Sequence, residues 1–250
     1  PTPTPRQGRR QRQMCIRDRC RTDVVASMFA ALIFDCDGVL VDSEVLAQRV
    51  ELAALSGIGL EYAPEEFTRR FTGSSAEDMN AAIAEEFQSR FSKPIPPYFF
   101  DQLAQAIHRA YEQHLDPIEG AVELATAWPT LKAVASSSSA DLVALKLGKV
   151  GLREVFHPHV FTADQARAKP HPDLFLMAAR ELGVDPAQCL VVEDSVNGVA
   201  AAKRAGAQVI GFTGGAHCTH NQHLELKQSG ADWTFAHFDE VADFLSIQIG

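Results

Sequence analysis

Six consecutive apolar residues, Phe29-Ala-Ala-Leu-Ile-Phe34, run without a polar break straight into Asp35. A run this short with no polar alternation fits a strand buried on both faces, and only a sheet with a layer on each side can hide it. Similar runs recur: 131–135, broken only by Lys132, ends at Ser136, 189–192 ends at Glu193-Asp194-Ser195, and further strand patterns occupy 160–161 and 208–212. Between these strands lie helical spacings near 121–127, 140–149, 173–182 and 196–205, the last stopped by Gly206. Alternating strands and helices predict an α/β chain with a Rossmann-like parallel sheet covered on both faces.

One segment breaks the alternation. Between 44 and 115 three apolar stripes follow helical spacing: Val45, Leu46, Val50, Leu52, Ala53 and Leu55; then Met79, Ile83 and Phe87; then Phe100, Leu103, Ile107 and Tyr111. Gly57-Ile-Gly59, Thr72-Gly-Ser-Ser75 and Lys93-Pro-Ile-Pro-Pro97 separate them, and Asp116-Pro117 closes the stretch. The expected organisation is a catalytic core of 28–43 plus 116–250, interrupted by a helical cap of 44–115. Residues 1–27 differ in composition, with seven Arg against two Asp, and 14–18 can be encoded by a sequence resembling a library-preparation transposon end. They are expected to be a disordered or artefactual tail.

Charge narrows the partners. The chain carries a formal -9 at pH 7, and most of its basic residues that lie together sit in that tail. Nucleic acid and anionic membrane select basic faces, so neither is expected, and small metabolites remain. No run of about 18 apolar residues marks a membrane helix. Five scattered Cys without a C-x-x-C pair fit a reducing, cytoplasmic setting rather than a disulfide framework.

In open parallel sheets the ligand site lies beyond the carboxyl ends of the strands. That places Asp35, Asp37, Ser136, Glu193 and Asp194 together. Four carboxylates in one place repel each other unless a cation joins them, and an all-oxygen set favours Mg²⁺ over Zn²⁺. Lys169, in Ala168-Lys-Pro-His-Pro172, supplies a fixed positive charge if its loop reaches the same rim. The His217-Cys-Thr-His-Asn-Gln-His223 segment matches no zinc spacing and is expected to be a surface loop, with Gly214-Gly215 turning the chain at the site rim.

These residues carry a family resemblance. Asp35-Cys-Asp-Gly-Val-Leu-Val-Asp-Ser-Glu44 resembles the first motif of the haloacid dehalogenase superfamily, Ser136 its second, Lys169-Pro-His-Pro-Asp173 its third, and Val191-Val-Glu-Asp-Ser-Val-Asn-Gly198 its fourth. The helical insert after the first motif is similar to the cap of the phosphatase and phosphomutase branch, whose core strands are commonly ordered 5-4-1-2-3. The resemblance implies Asp35 as a nucleophile forming an aspartyl-phosphate and Asp37 as the acid/base. It implies Ser136 as a phosphoryl hydrogen-bond donor and Lys169 as the clamp between Asp35 and phosphate. Mg²⁺ would be held by Asp35, Asp194 and the Asp37 carbonyl, with Glu193 as a further ligand or an acceptor behind them. Glu44, Thr72, Gly73, Ser74, Ser75 and Ser137 are expected to face the substrate.

Several reactions run on this scaffold. Dehalogenation lacks a use for Asp37, and phosphonatase needs a cap lysine where the insert has only Lys93, beside prolines. A β-phosphoglucomutase carries an Arg after the Gly-Val-Ser of its cap loop; the stretch here is Gly73-Ser-Ser-Ala76, with Arg69 and Arg70 upstream as the possible replacement. A non-catalytic binding protein would not need the full set of nucleophile, acid, lysine and metal ligands. The expectation is an Mg²⁺-dependent phosphatase for a small phosphorylated metabolite of the sugar phosphate, sugar-acid phosphate or phosphoglycolate type, as a monomer or weak homodimer.

Overall fold

The computed structural model describes residues 28–71 and 76–247. Six parallel strands form one sheet in the order β3-β2-β1-β4-β5-β6, namely β1 (Ala31–Phe34), β2 (Leu131–Ala135), β3 (Val160–Phe161), β4 (Cys189–Glu193), β5 (Gln208–Phe212) and β6 (Trp233–Phe235). The first five follow the order implied by the resemblance, and β6 extends it at the β5 edge. The apolar run entering Asp35 forms the central strand, with all four β1 residues at 0% exposure. Register aligns Phe34 with Val134 of β2 and Val192 of β4, so the chain leaves all three strands at nearly one level.

Alternate residues feed two opposite layers. Leu32, Phe34, Val134, Leu190, Val192 and Ile210 point into one cluster with α6 (Ala140–Lys149) and α11 (Phe238–Leu245). Ile33, Ala133, Val191 and Val209 point into the other, against α8 (Asp173–Leu182) and α9 (Val196–Ala205). Small strand residues on that second face let α8 and α9 approach closely, and each buried Leu, Ile or Phe contributes about 1.5–3 kcal/mol by leaving water.

The segment between β1 and β2 is helical as expected: α1 (Ser43–Gly57), α2 (Pro64–Phe71), α3 (Ala76–Phe91) and α4 (Phe99–His114), followed by α5 (Ala121–Ala127). Leu55, Leu60, Phe67, Ile83, Phe87, Phe99 and Leu103 make a hydrophobic cluster of their own within it. Its two connections to the sheet run side by side, since Val41 bridges Pro117 and Ile118 N donates to Leu40 O at 3.1 Å. Paired exits of this kind let the insert be added without disturbing the sheet.

Six elements escaped the sequence reading: α2, α7 (Arg153–Phe156), the 3-10 turn Pro186–Gln188, α10 (Gln222–Gln228), β6 and α11. Three-residue β6 and four-residue α7 are too short to show a period. The start of α11 carries a capping box between His237 and Glu240, with a His where the usual sequence signature has Ser or Thr. No helix among the described residues is long and apolar enough to cross a membrane. The 1–27 tail and the Thr72, Gly73, Ser74 and Ser75 expectations lie outside the described residues.

Candidate active site

Each strand end delivers one part of a single polar cluster. Asp35 follows β1, Ser136 follows β2, and Glu193-Asp194 closes β4; all four are buried. The loop after β3 brings Lys169 over the sheet, where its side chain is only 5% exposed and its Nζ lies 2.7 Å from Asp35 Oδ1. The same ammonium also pairs with Glu193 Oε1. Lys169 is therefore a buried clamp, not a solvated lysine.

Glu193 is spent on its neighbours. One oxygen meets Lys169, and the other accepts from Ser195 N and Ser195 Oγ, both at 2.9 Å. Ser195 Oγ in turn caps α9 by accepting from Gly198 N at 2.9 Å. The Glu-Asp-Ser triplet thus both starts a helix and lines the site. Asp35, Glu193 and Asp194 each offer one oxygen within a 4.8 Å span, a donor set of hard oxygens suited to a small divalent cation.

Charge crowding shows in the acid strengths. Burial pushes the Asp35 carboxyl well above its usual range; Lys169 opposes this, while Glu193, Asp194 and Asp37 add to it. Burial likewise raises Asp194, with His217 pulling against it. Asp37 goes the other way: burial acts upward, but Lys146 and the hydroxyls of Ser43 and Ser138 outweigh it and hold the carboxyl below its usual range.

Two cations here correct the sequence reading, which had only Lys169 as counter-charge. His217, expected in a surface loop, places Nε2 2.9 Å from Asp194 Oδ2, with its side chain 22% exposed. Burial disfavours the imidazolium, yet the Asp194 hydrogen bond and charge prevail and raise it to about 11. The loop after β5 crosses the rim, and Gln222 Nε2 donates to Asp194 O at 2.8 Å from the same segment. Lys146, on α6, pairs with Asp37 Oδ1 and was not anticipated. Ser43 and Ser138 are the other unforeseen partners: Ser43 Oγ donates to Asp37 Oδ1, and Ser138 Oγ donates to Oδ2 at 2.8 Å.

The remaining candidates lie beside this cluster or within the insert. Ser136 Oγ accepts from Ser138 N at 3.1 Å and reaches Asp37 Oδ2 at 3.5 Å, while exposed Ser137 accepts from Lys169 N at 3.4 Å. Glu44 sits exposed in the first turn of α1, one residue after Ser43. Arg70 is committed inside the insert, paired with Glu86 and lying over the Tyr62 and Phe71 rings. Lys93 lies over Phe87, also within the insert.

Gly38 makes the close packing possible. Its φ is +73°, and a Cβ there would stand 1.9 Å from Asp194 Oδ2 and 2.7 Å from the His217 ring. Gly38→Ala is expected to cost about 1–3 kcal/mol from backbone strain alone and to displace Asp194, lowering turnover with it. Urea unfolding and turnover on one preparation check this; a Gly38→Ala variant as stable and as active as the parent would refute the close approach.

A family profile described as haloacid dehalogenase-like hydrolase matches residues 29–206. The chain is 28% identical over 218 residues to 6-phosphogluconate phosphatase of Escherichia coli, covering 87% of this chain and 95% of that one. A solved haloacid dehalogenase-like protein of Agrobacterium tumefaciens superposes with a TM-score of 0.76 at 34% identity, covering 87% and 98% of the two chains. A HAD family hydrolase of Deinococcus radiodurans, solved with bound phosphate and sodium, gives 0.75 at 31%, covering 89% and 99%. Acidic and basic groups meeting at the strand ends of a 3-2-1-4-5 sheet, with matches on this scale, mean that the chain belongs to the haloacid dehalogenase-like hydrolases, as a phosphoric monoester hydrolase of the phosphatase and phosphomutase branch.

Proposed function

We propose that this hydrolase is a cytoplasmic, Mg²⁺-dependent phosphatase for a small phosphorylated metabolite of the sugar phosphate, sugar-acid phosphate or phosphoglycolate type. Its reaction runs through an aspartyl-phosphate. The observation that carries this reading is the Lys169 to Asp35 contact of 2.7 Å at the buried strand ends, with Asp37 two residues further on. An ammonium there holds a carboxylate oxygen in place for attack and neutralises charge on incoming phosphoryl oxygens.

In the first half-reaction an Asp35 carboxylate oxygen bonds to phosphorus, the ester P–O bond breaks with its electron pair going to the leaving oxygen, and Asp37 supplies the proton. In the second, water bonds to phosphorus, the P–O bond to Asp35 breaks, and Asp37 takes the water proton. This splits one displacement into two easier ones, and proton transfer by Asp37 contributes about 10²- to 10⁴-fold. Asp37, held below the usual carboxylate range, is ionised at neutral pH, the form that the second role needs. Ser136 and its neighbour Ser137 donate to phosphoryl oxygens. Asp35 and Asp194 would hold Mg²⁺, joined, as the family resemblance implies, by the Asp37 carbonyl, with Glu193 behind them because Lys169 and Ser195 already occupy its oxygens. When bound, the cation neutralises charge on the phosphoryl group. The segment 44–115 serves as a cap that presents Glu44 to the rest of the substrate.

Phosphatase is favoured over mutase because Ala76 stands where an arginine grip belongs and Arg70 is already bound to Glu86. A mutase must shield its phosphoenzyme from water while its intermediate turns around, which needs a second anion grip. Two measurements test the reading. A panel of sugar phosphates, sugar-acid phosphates and phosphoglycolate is expected to release inorganic phosphate from at least one member. Incubation with β-glucose 1-phosphate and a trace of its bisphosphate, followed by NMR, is expected to show phosphate release without accumulation of glucose 6-phosphate. Accumulation without matching phosphate would make the enzyme a mutase.

A further inference from the structure

Lys146 is 2% exposed, so its ammonium has been taken out of water. A buried cation costs several kcal/mol unless partners compensate it, and hydrophobic residues of similar volume commonly replace such pairs without loss. Packing therefore gives no reason for a lysine here: Val143 and Leu147 line the same face of α6 and would accept an aliphatic neighbour. Its partners show what it serves. Nζ meets Asp37 Oδ1, lies 3.3 Å from Ser138 Oγ and sits 4.9 Å from the centre of the Tyr111 ring.

Those contacts tie down a side chain that has no rigid frame of its own. Asp37 lies in the loop after β1, and its carboxylate is gripped from three directions: Ser43 at the start of α1, Ser138 after β2, and Lys146 on α6. Of the three only Lys146 brings charge, and it rises from α6, whose Val143 and Leu147 are buried in the same hydrophobic cluster as Val134 of β2. Neutral hydroxyls set the plane of the carboxylate. The ammonium makes that plane costly to leave.

We propose that Lys146 is a positioning residue that fixes the Asp37 carboxylate for accepting a proton from the water that hydrolyses the aspartyl-phosphate. The inference rests on the acid/base reading of Asp37. In that step the water oxygen bonds to phosphorus, the P–O bond to Asp35 breaks with its pair returning to the Asp35 carboxylate, and the water proton passes to Asp37. Lys146 touches none of the reacting atoms; it acts through Asp37 alone.

The test uses the full chain with Mg²⁺ and 2,4-dinitrophenyl phosphate, whose leaving group needs no proton. The dinitrophenolate burst then reads phosphoenzyme formation per active site, and the steady rate reads its hydrolysis. Lys146→Met is expected to leave the burst rate within about threefold and to slow the steady rate about 10- to 100-fold, part of what a proton-transfer group contributes. In an Asp37→Asn background the same change is expected to add less than about twofold. Burst amplitude counts folded enzyme, and Lys146→Gln repeats the measurement if the Met variant does not fold. A steady rate near that of the parent, a burst and steady rate that fall together, or a further loss on top of Asp37→Asn would each overturn the proposal. If Asp37→Asn alone left hydrolysis unchanged, the reading of Asp37 itself would fail, independently of Lys146.

Discussion

Asp35→Asn is expected to abolish turnover, by roughly 10⁴- to 10⁶-fold on the scale of other nucleophile deletions, in a protein that stays folded. The amide keeps the shape of the carboxyl but cannot form the acyl-phosphate bond. Stability argues the same way. Burial and the neighbouring Glu193, Asp194 and Asp37 charges raise the Asp35 carboxyl well above its usual range, so its ionised form works against folding. For an acid raised in the folded state, stability is lost as pH rises through the unfolded and then the folded value. The amide removes that pH dependence and leaves Lys169 paired with Glu193. Metal-free melting at pH 7 is therefore expected at or above the temperature of the parent, alongside circular dichroism unchanged from it. A folded Asp35→Asn variant with substantial turnover would end the covalent mechanism.

The parts of the site that the sequence displayed are those that backbone topology alone places. β1 and β4 are buried on both faces, so their apolar runs end abruptly, and the residue after each must lie at the carboxyl edge. That is enough to bring Asp35, Ser136, Glu193 and Asp194 together. Lys169 needed one more assumption, the path of a loop, and the motif around it supplied that.

What stayed hidden depends on side-chain direction. Lys146 lies in Ala-Asp-Leu-Val-Ala-Leu-Lys-Leu-Gly-Lys, where a lysine reads as solvated. Yet Val143, Leu147 and Val150 define an apolar face at helical spacing, and Lys146 falls on it; a helical projection of 140–149 would have raised the question of its partner. His217 offered no such signal. It sits in an aperiodic segment of four His and Cys within seven residues, and nothing there says which one turns inward. The choice is made by Gly38 and Gly215: a Cβ on either would stand 2.7 Å from the His217 ring, so both glycines leave the slot the imidazole fills. Ser43 was part of the first motif as written, but its role comes from the start of α1 facing back toward the sheet.

Removing divalent metal is the other change expected to silence the enzyme. Asp35, Glu193 and Asp194 present oxygens within 4.8 Å of one another, and the fixed positive charges beside them are Lys169 and His217. Lys169 is shared between Asp35 and Glu193, which leaves Asp35 and Asp194 under-compensated, as the raised range of both carboxyls shows. A hard dication would relieve that repulsion and would bind the folded state only, because the acidic residues come from the ends of β1 and β4, apart in sequence. Mg²⁺ at about 100 times its dissociation constant is then expected to add about 2.7 kcal/mol of stability. For a chain of this size that corresponds to a melting temperature roughly 5–10 °C higher. EDTA should take turnover below detection, and added Mg²⁺ should restore both activity and melting temperature. Asp194→Asn separates metal binding from general salt effects, since it should abolish most of the Mg²⁺-dependent shift while leaving the metal-free melt at or above that of the parent. Full turnover in EDTA together with a melt indifferent to Mg²⁺ would leave Lys169 and His217 as sufficient counter-charges, and the carboxylates would then be a proton-sharing cluster with no metal in the reaction.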